Sequence, residues 1–359
     1  MVHGVSLTDM KRLFGDAGSL RRLYSFSILI SVAACFGVLL GAGVSALITV
    51  LILSALEITF SFDNAIVNAK ILRRMSQRWQ KLFLTVGILI AVFGMRFFIP
   101  IALVAVTARL DMLSVVQLAL TEPVVYAQHL TAAHAIIASF GGMFLLLIFF
   151  EFMFDAQRDI HWLRAIERPL VRIGRIRYVP VVLAVTILVI VAETFGGGQR
   201  LSILAAGLCG IAVHSCIRLL TELFVREQAA VQRHTLVRAG LVNFIYLEIL
   251  DASFSFDGVI GAFAITKMVL LIAVGLGIGA LWVRSMTMHM VMRDTLSKYR
   301  YLDHGAHYAI GALAAIMLAT IAYDIPDTVT GLTGVLIIGL SLIDSLRYNR
   351  REQRLGISS

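Results

Sequence analysis

The stretch Val44-Ser45-Ala46-Leu47-Ile48-Thr49-Val50-Leu51-Ile52-Leu53-Ser54-Ala55-Leu56-Glu57-Ile58-Thr59-Phe60-Ser61-Phe62-Asp63-Asn64 reads as a membrane span that turns acidic before it ends. At 1.5 Å per residue about twenty apolar residues cross a bilayer, and Ala65-Ile66-Val67 continue the apolar character past the acids. A second stretch, Asp251-Ala252-Ser253-Phe254-Ser255-Phe256-Asp257-Gly258, repeats Phe-Ser-Phe-Asp 194 positions later. Each shared Asp has a carboxylate six residues ahead of it, Glu57 before Asp63 and Asp251 before Asp257. On insertion scales a carboxylate at the centre of a transmembrane helix costs about 2.5–3.5 kcal/mol, so intramembrane acids mark function by default.

The surroundings agree with that reading. The 359 residues are 59% hydrophobic and 15% charged, with a mean hydropathy of +0.89, and the apolar residues fall in runs rather than amphipathic stripes. Ten runs are expected to be helices, at about 24–41, 44–69, 82–106, 134–154, 179–195, 201–217, 239–265, 268–284, 306–323 and 328–346. The expected fold is therefore an all-α polytopic membrane protein of about ten transmembrane helices. Residues 1–23 read as an amphipathic cytoplasmic segment and 347–359 as a basic tail. The net charge of +9 sits in short connections, which argues for membrane topology and against nucleic acid.

Alternate connections hold 27 Lys and Arg on one side and three on the other, Arg109, Arg200 and Lys267. The positive-inside rule then puts both termini in the cytoplasm and makes the second and seventh runs antiparallel. The two acidic motifs are thus inverted copies. Gly87 to Arg96 and Gly275 to Arg284 also share a spacing of nine, and Pro180 and Pro326 open the fifth and tenth runs. An inverted repeat, five helices plus five, with 24–195 as one half and 196–346 as the other, is the expectation; many secondary transporters are built so, with their site near the midplane.

On a helical wheel Glu57, Ser61, Asn64 and Asn68 share one face within about 40°, while Asp63 lies about 120° away. Glu248, Asp251 and Ser255 share a face in the second copy, and Asp257 points elsewhere. Either each Asp has another partner or the helix is interrupted at the motif. The donor set is all oxygen, which suits hard divalent cations such as Mn²⁺, Mg²⁺ and Ca²⁺. Metal for protons at the same carboxylates is the natural exchange. Arg96 reads either as a counter-charge for an empty site or as a snorkelling side chain; Arg284, at a cytoplasmic helix end, reads as snorkelling. Cys35, Cys209 and Cys216 read as small buried residues, and 107–133 as a solvated loop carrying Glu122 and His129 beside His134. Glu193 and Glu151 read as helix partners, His214 as a packing residue. Asp303, His304 and His307 read as a charged cap or a metal sensor. No P-loop is present, and neither an enzyme nor a prosthetic group is the expectation.

Glu57 with Ser61-Phe62-Asp63-Asn64, Glu248-x-x-Asp251 with Phe254-Ser255-Phe256-Asp257, and Tyr301-Leu302-Asp303-His304-Gly305 together resemble the TerC family of integral membrane proteins, within the LysE-type exporter superfamily. The resemblance implies export of Mn²⁺ or a similar divalent cation from the cytoplasmic (inner) membrane, and a link to tellurite resistance. It implies Glu57, Asp63, Asn64, Glu248, Asp251 and Asp257 as metal ligands, with Ser61, Asn68, Ser255 and Arg96 in support. Gly258 departs from it, standing where that family carries a polar side chain. Three alternatives stay open: an exporter of a small organic cation or amino acid, using Phe60, Phe62, Phe254 and Phe256; a membrane scaffold in a stress complex; and an aspartyl protease, whose Gly-x-Gly-Asp loop is missing here. Whether the chain works as a monomer or a homo-oligomer is not written in the sequence.

Overall fold

A computed structural model describes residues 16–73, 75–174, 176, 178–228 and 233–354. Most of the amphipathic N-terminal segment lies outside those residues. All described elements are helical and no strand occurs among them, as the bilayer core demands of a chain that must satisfy its backbone polar groups internally.

The first two apolar runs form α1 (Asp16–Phe60), broken at Gly43, where φ is 80° and ψ −176°. Only glycine occupies that region without strain, so Gly43 sets the kink between two spans. After the single residue Ser61 comes α2 (Phe62–Leu72). The third span is α3 (Gln77–Leu89), a π-helical stretch Ile90–Phe98 and α4 (Ile99–Ala108), ended by Arg109 in the left-handed region at φ 55°.

The expected loop at 107–133 is instead two short helices, α5 (Met112–Thr121) and α6 (Pro123–Ala132). Their apolar side chains Val115, Tyr126 and Leu130 are buried, which a solvated loop would not allow. Asp111 caps α5, accepting from the Ser114 N–H at 2.9 Å and the Ser114 hydroxyl at 2.6 Å. Those bonds hold its carboxyl below the usual carboxylate range.

Then follow α7 (His134–Met153), α8 (Arg164–Ile173), α9 (Val179–Phe195), α10 (Arg200–Gln228), α11 (Arg233–Ile265), α12 (Val269–Met292), α13 (Thr295–Lys298), α14 (Leu302–Ala319) and α15 (Asp327–Arg354). Among the described residues six stretches are long and apolar enough to cross a membrane: Tyr24–Phe60, Gln77–Val106, His134–Met153, Gly197–Leu220, Val269–Met292 and Thr328–Gln353. The protein is an all-α polytopic membrane protein.

Two compact units divide it, Met1–Ala133 with Leu236–Arg293, and His134–Thr235 with Asp294–Ser359. Each draws on both halves of the sequence. In the first, α1 packs along α12 through Ala46, Val50, Leu271 and Ile278. Polar pairs run along the same seam: Ser27 with Ser285 at 2.7 Å, and the Ser54 hydroxyl donating to the Gly275 carbonyl at 2.9 Å. Such hydrogen bonds and small residues hold membrane helices together where hydrophobicity cannot. In the second unit α7 is central, flanked by α10 and α14, with α15 on α14.

Cys209 and Cys216 are exposed, not buried. In a membrane protein an apolar side chain meets lipid as readily as protein, so apolar character in α10 does not imply burial. Gly43→Ala is expected to destabilise the fold by about 1–3 kcal/mol, read as a lowered melting temperature of the purified protein in detergent.

Candidate functional site

The first unit contains both acidic motifs. Glu57, in the last turn of α1, accepts at Oε1 from the Ser61 hydroxyl at 2.8 Å and from Arg96 Nη2 at 2.5 Å. Arg96 does not snorkel: it is 3% exposed and lies in the π-helical stretch, where its Nη1 donates to the Ala91 carbonyl at 2.7 Å. Such π segments concentrate at functional sites, and this one holds the guanidinium against Glu57. Gly279 on α12 makes room for the pair, since a Cβ there would stand 2.5 Å from Glu57 Cβ.

A second pair stands on α11 and α12. Arg284 Nη2 lies 3.2 Å from Glu248 Oε1, 3.1 Å from Glu248 Oε2 and 3.3 Å from Asp251 Oδ2. Its Nη1 donates to the Phe83 carbonyl at 2.8 Å, and its guanidinium lies over the Phe83 ring, 4.1 Å from the centroid. The expectation that Arg284 snorkels is therefore corrected: it is 3% exposed, because two carboxylates, a carbonyl and an aromatic face offer it more than the interface does. The shared nine-residue spacing from Gly87 to Arg96 and Gly275 to Arg284 is the sequence signal that made the two arginines equivalent.

Asn64 joins the two motif helices. Its Nδ2 donates to Asp251 Oδ1 at 2.8 Å. The interruption expected at the motif is present in the first copy, where Ser61 (φ −97°, ψ 14°) separates α1 from α2, and absent in the second, where α11 runs through. The break is shallow: the Ser61 N–H still reaches the Glu57 carbonyl at 2.9 Å and Ala65 N–H the Ser61 carbonyl at 3.1 Å. Asp63 follows it, 5% exposed, accepting the Asn64 N–H at 2.8 Å. Its direction, away from Glu57 on the wheel, is no obstacle, because α2 is buried on every side.

Unpartnered groups of both kinds lie here: Asn64 Oδ1 and Asn68 Oδ1, and the Arg96 and Arg284 Nε groups, are buried without a hydrogen-bond partner. The buried ionisable side chains described in this unit are Glu57, Asp63, Glu248 and Asp251 against Arg96 and Arg284, two carboxyl groups in excess of the guanidiniums; Lys70, two turns along α2 from Asp63, is only half-buried. The side chains of Ser255 and Asp257 lie outside the described residues. Among those described, no three His, Cys, Asp or Glu side chains gather closely enough to ligate one metal ion. The arginines stand between the acids.

The second unit holds other buried polar groups. His214 packs edge-on against Phe144, and Glu151 pairs with Arg218 at 2.5 Å. His307 Nδ1 lies 2.7 Å from the Asp303 carbonyl, and His304 Nε2 2.8 Å from that of Ile160. Sequence reasoning passed over Glu167. Fully buried on α8, it takes Arg158 at 2.7 Å and the Leu163 N–H at 3.0 Å, and fastens the 155–178 connection. Nothing in its polar neighbourhood set it apart from a solvated loop acid.

Residues 62–352 match a family described as a protein of unknown function, DUF475. The chain belongs to the DUF475 family. No curated protein and no solved structure matches it. The DUF475 match takes in Asp63, Asn64, Arg96, Glu248, Asp251 and Arg284, and begins five residues after Glu57.

Removing one partner of a buried ion pair strands the other, at about 3–5 kcal/mol, while replacing both is far milder. Arg284→Met is thus expected to lower the melting temperature sharply. Adding Glu248→Gln and Asp251→Asn should restore much of it, as measured by a mutant cycle on the purified protein.

Proposed function

We propose that this DUF475 protein is a transporter that exports a divalent metal cation, with Mn²⁺ foremost, across the cytoplasmic membrane. The observation that carries the reading is an excess of buried acids: among the described residues of the first unit, four carboxyl groups against two guanidiniums, beside two amide oxygens with no donor. Ionised together, they would leave two negative charges that a low-dielectric interior does not tolerate uncompensated. One divalent cation, or two protons, removes them, which suits a carrier that exchanges one for the other. Oxygen-only donors favour hard ions.

Asp63, Asn64, Asp251 and Glu57 are the central ligands, Asn68, Glu248 and Asp257 the nearest additional oxygens, and Ser61 and Ser255 supporting hydroxyls. Arg96 and Arg284 stand in for the cation while the acids await it, and swing aside as it arrives. The resemblance to the TerC family supports export, and the inverted motifs support a ten-helix, five-plus-five repeat with both termini cytoplasmic. The two motif helices meet within one compact unit through Asn64 and Asp251. No prosthetic group and no catalysis enter this reading.

One observation favours the organic-cation alternative. The Phe83 ring under Arg284 is a ready cation–π platform, and an amine or guanidine displacing Arg284 would inherit it.

Mn²⁺ efflux from loaded cells, or uptake into inverted vesicles, tests the proposal. Wild type should exceed an empty control, and Asp63→Asn and Asp251→Asn should each lose more than tenfold at normal protein level. Wild-type vesicles that carry no Mn²⁺ but extrude an organic cation would move the assignment to the alternative.

A further inference from the structure

We infer that Gly258 makes the ion site one-sided: it leaves Glu57 Oε2 open as a cation ligand, with a shell water of the ion filling the space beside the glycine. This rests on the cation reading above. The two motifs align Glu57 with Asp251, Asp63 with Asp257, and Asn64 with Gly258. In the first copy the residue after the shared Asp reaches across to the leading acid of the other copy, Asn64 Nδ2 to Asp251 Oδ1 at 2.8 Å. The reciprocal contact would run from position 258 to Glu57.

The backbone is placed for it. A Cβ built on Gly258 would stand 3.3 Å from Glu57 Oε2, with no other described heavy atom within 4 Å. Half of a reciprocal bridge is therefore missing, and the space it would fill lies against a carboxylate oxygen. That oxygen differs from its twin. Glu57 Oε1 takes both of the donors given to the carboxylate, Ser61 Oγ and Arg96 Nη2. Oε2 receives none among the described residues. Each half-site is thus distinct: Asp251 Oδ1 is held by an amide, whereas Glu57 Oε2 takes no hydrogen bond among the described residues and is the oxygen offered to a metal. Mg²⁺ and Mn²⁺ keep water in their shells readily, and a methyl or amide at 258 takes up the room that such a water needs.

The test uses full-length protein in detergent, melted with and without manganese chloride and titrated calorimetrically. Wild type, Gly258→Ala and Gly258→Asn are compared. In Gly258→Asn the new amide is expected to donate to Glu57 Oε2 and complete the bridge. Without metal its melting temperature should equal or exceed that of wild type, and Mn²⁺ affinity should fall at least tenfold. Gly258→Ala should melt near wild type and bind Mn²⁺ about threefold more weakly, which keeps the inference falsifiable if the asparagine variant fails to fold. Both variants binding Mn²⁺ as tightly as wild type would overturn the role of Gly258 and leave the cation reading standing. A wild-type protein that shows no Mn²⁺-dependent shift would overturn the cation reading and this inference with it.

Discussion

Carboxylates buried in excess of guanidiniums organise the first unit. Glu57 pairs with Arg96, Glu248 and Asp251 share Arg284, and Asp63 is buried with the Asn64 N–H on its carboxylate; the unusual local choices nearby serve that arrangement. The π-helical stretch sets Arg96 against Glu57 and gives its second nitrogen a carbonyl. Gly87 leaves space that any side chain would take from Arg284, for a Cβ there would lie 2.3 Å from Nη1. Gly279 does the same for Glu57. Buried ion pairs are poor sources of stability, because desolvation offsets attraction. Their presence on helices that could have been wholly apolar speaks for use rather than for strength.

The membrane character and the long apolar helices were legible in the sequence, and so was the burial of Glu57, Asp63, Glu248 and Asp251, since apolar run length and an acid set within it are local properties. What escaped was whatever depends on a distant partner. Arg284 sits at the end of an apolar run and looked interfacial, yet its carboxylates come from α11 and its aromatic support from α3. Glu167 looked like one more loop acid until Arg158 and two backbone N–H groups closed around it. The 107–133 segment, short of long apolar runs, hid two helices whose buried faces amount to a few residues each.

The two acidic motifs are copies in sequence and not in conformation. One is interrupted at Ser61 and the other is continuous; one carries an amide after its Asp and the other a glycine. On the proposed cation reading one ion needs a single coordination shell, and equal halves would offer the same oxygens twice. Divergence at one position is enough to make the halves do different work.

The order in which the chain is made bears on the same pairs. Arg96 follows Glu57 by 39 residues and Arg284 follows Glu248 by 36, so each glutamate gains its counter-ion from the next hairpin to leave the ribosome. Asn64 must wait 187 residues for Asp251. Through that interval Asp63 and the bare amides of α2 are already threaded toward lipid with nothing opposite them. Insertion of this protein therefore has a long vulnerable period, in which the early helices depend on a water-filled or protein-lined shelter until the late ones arrive.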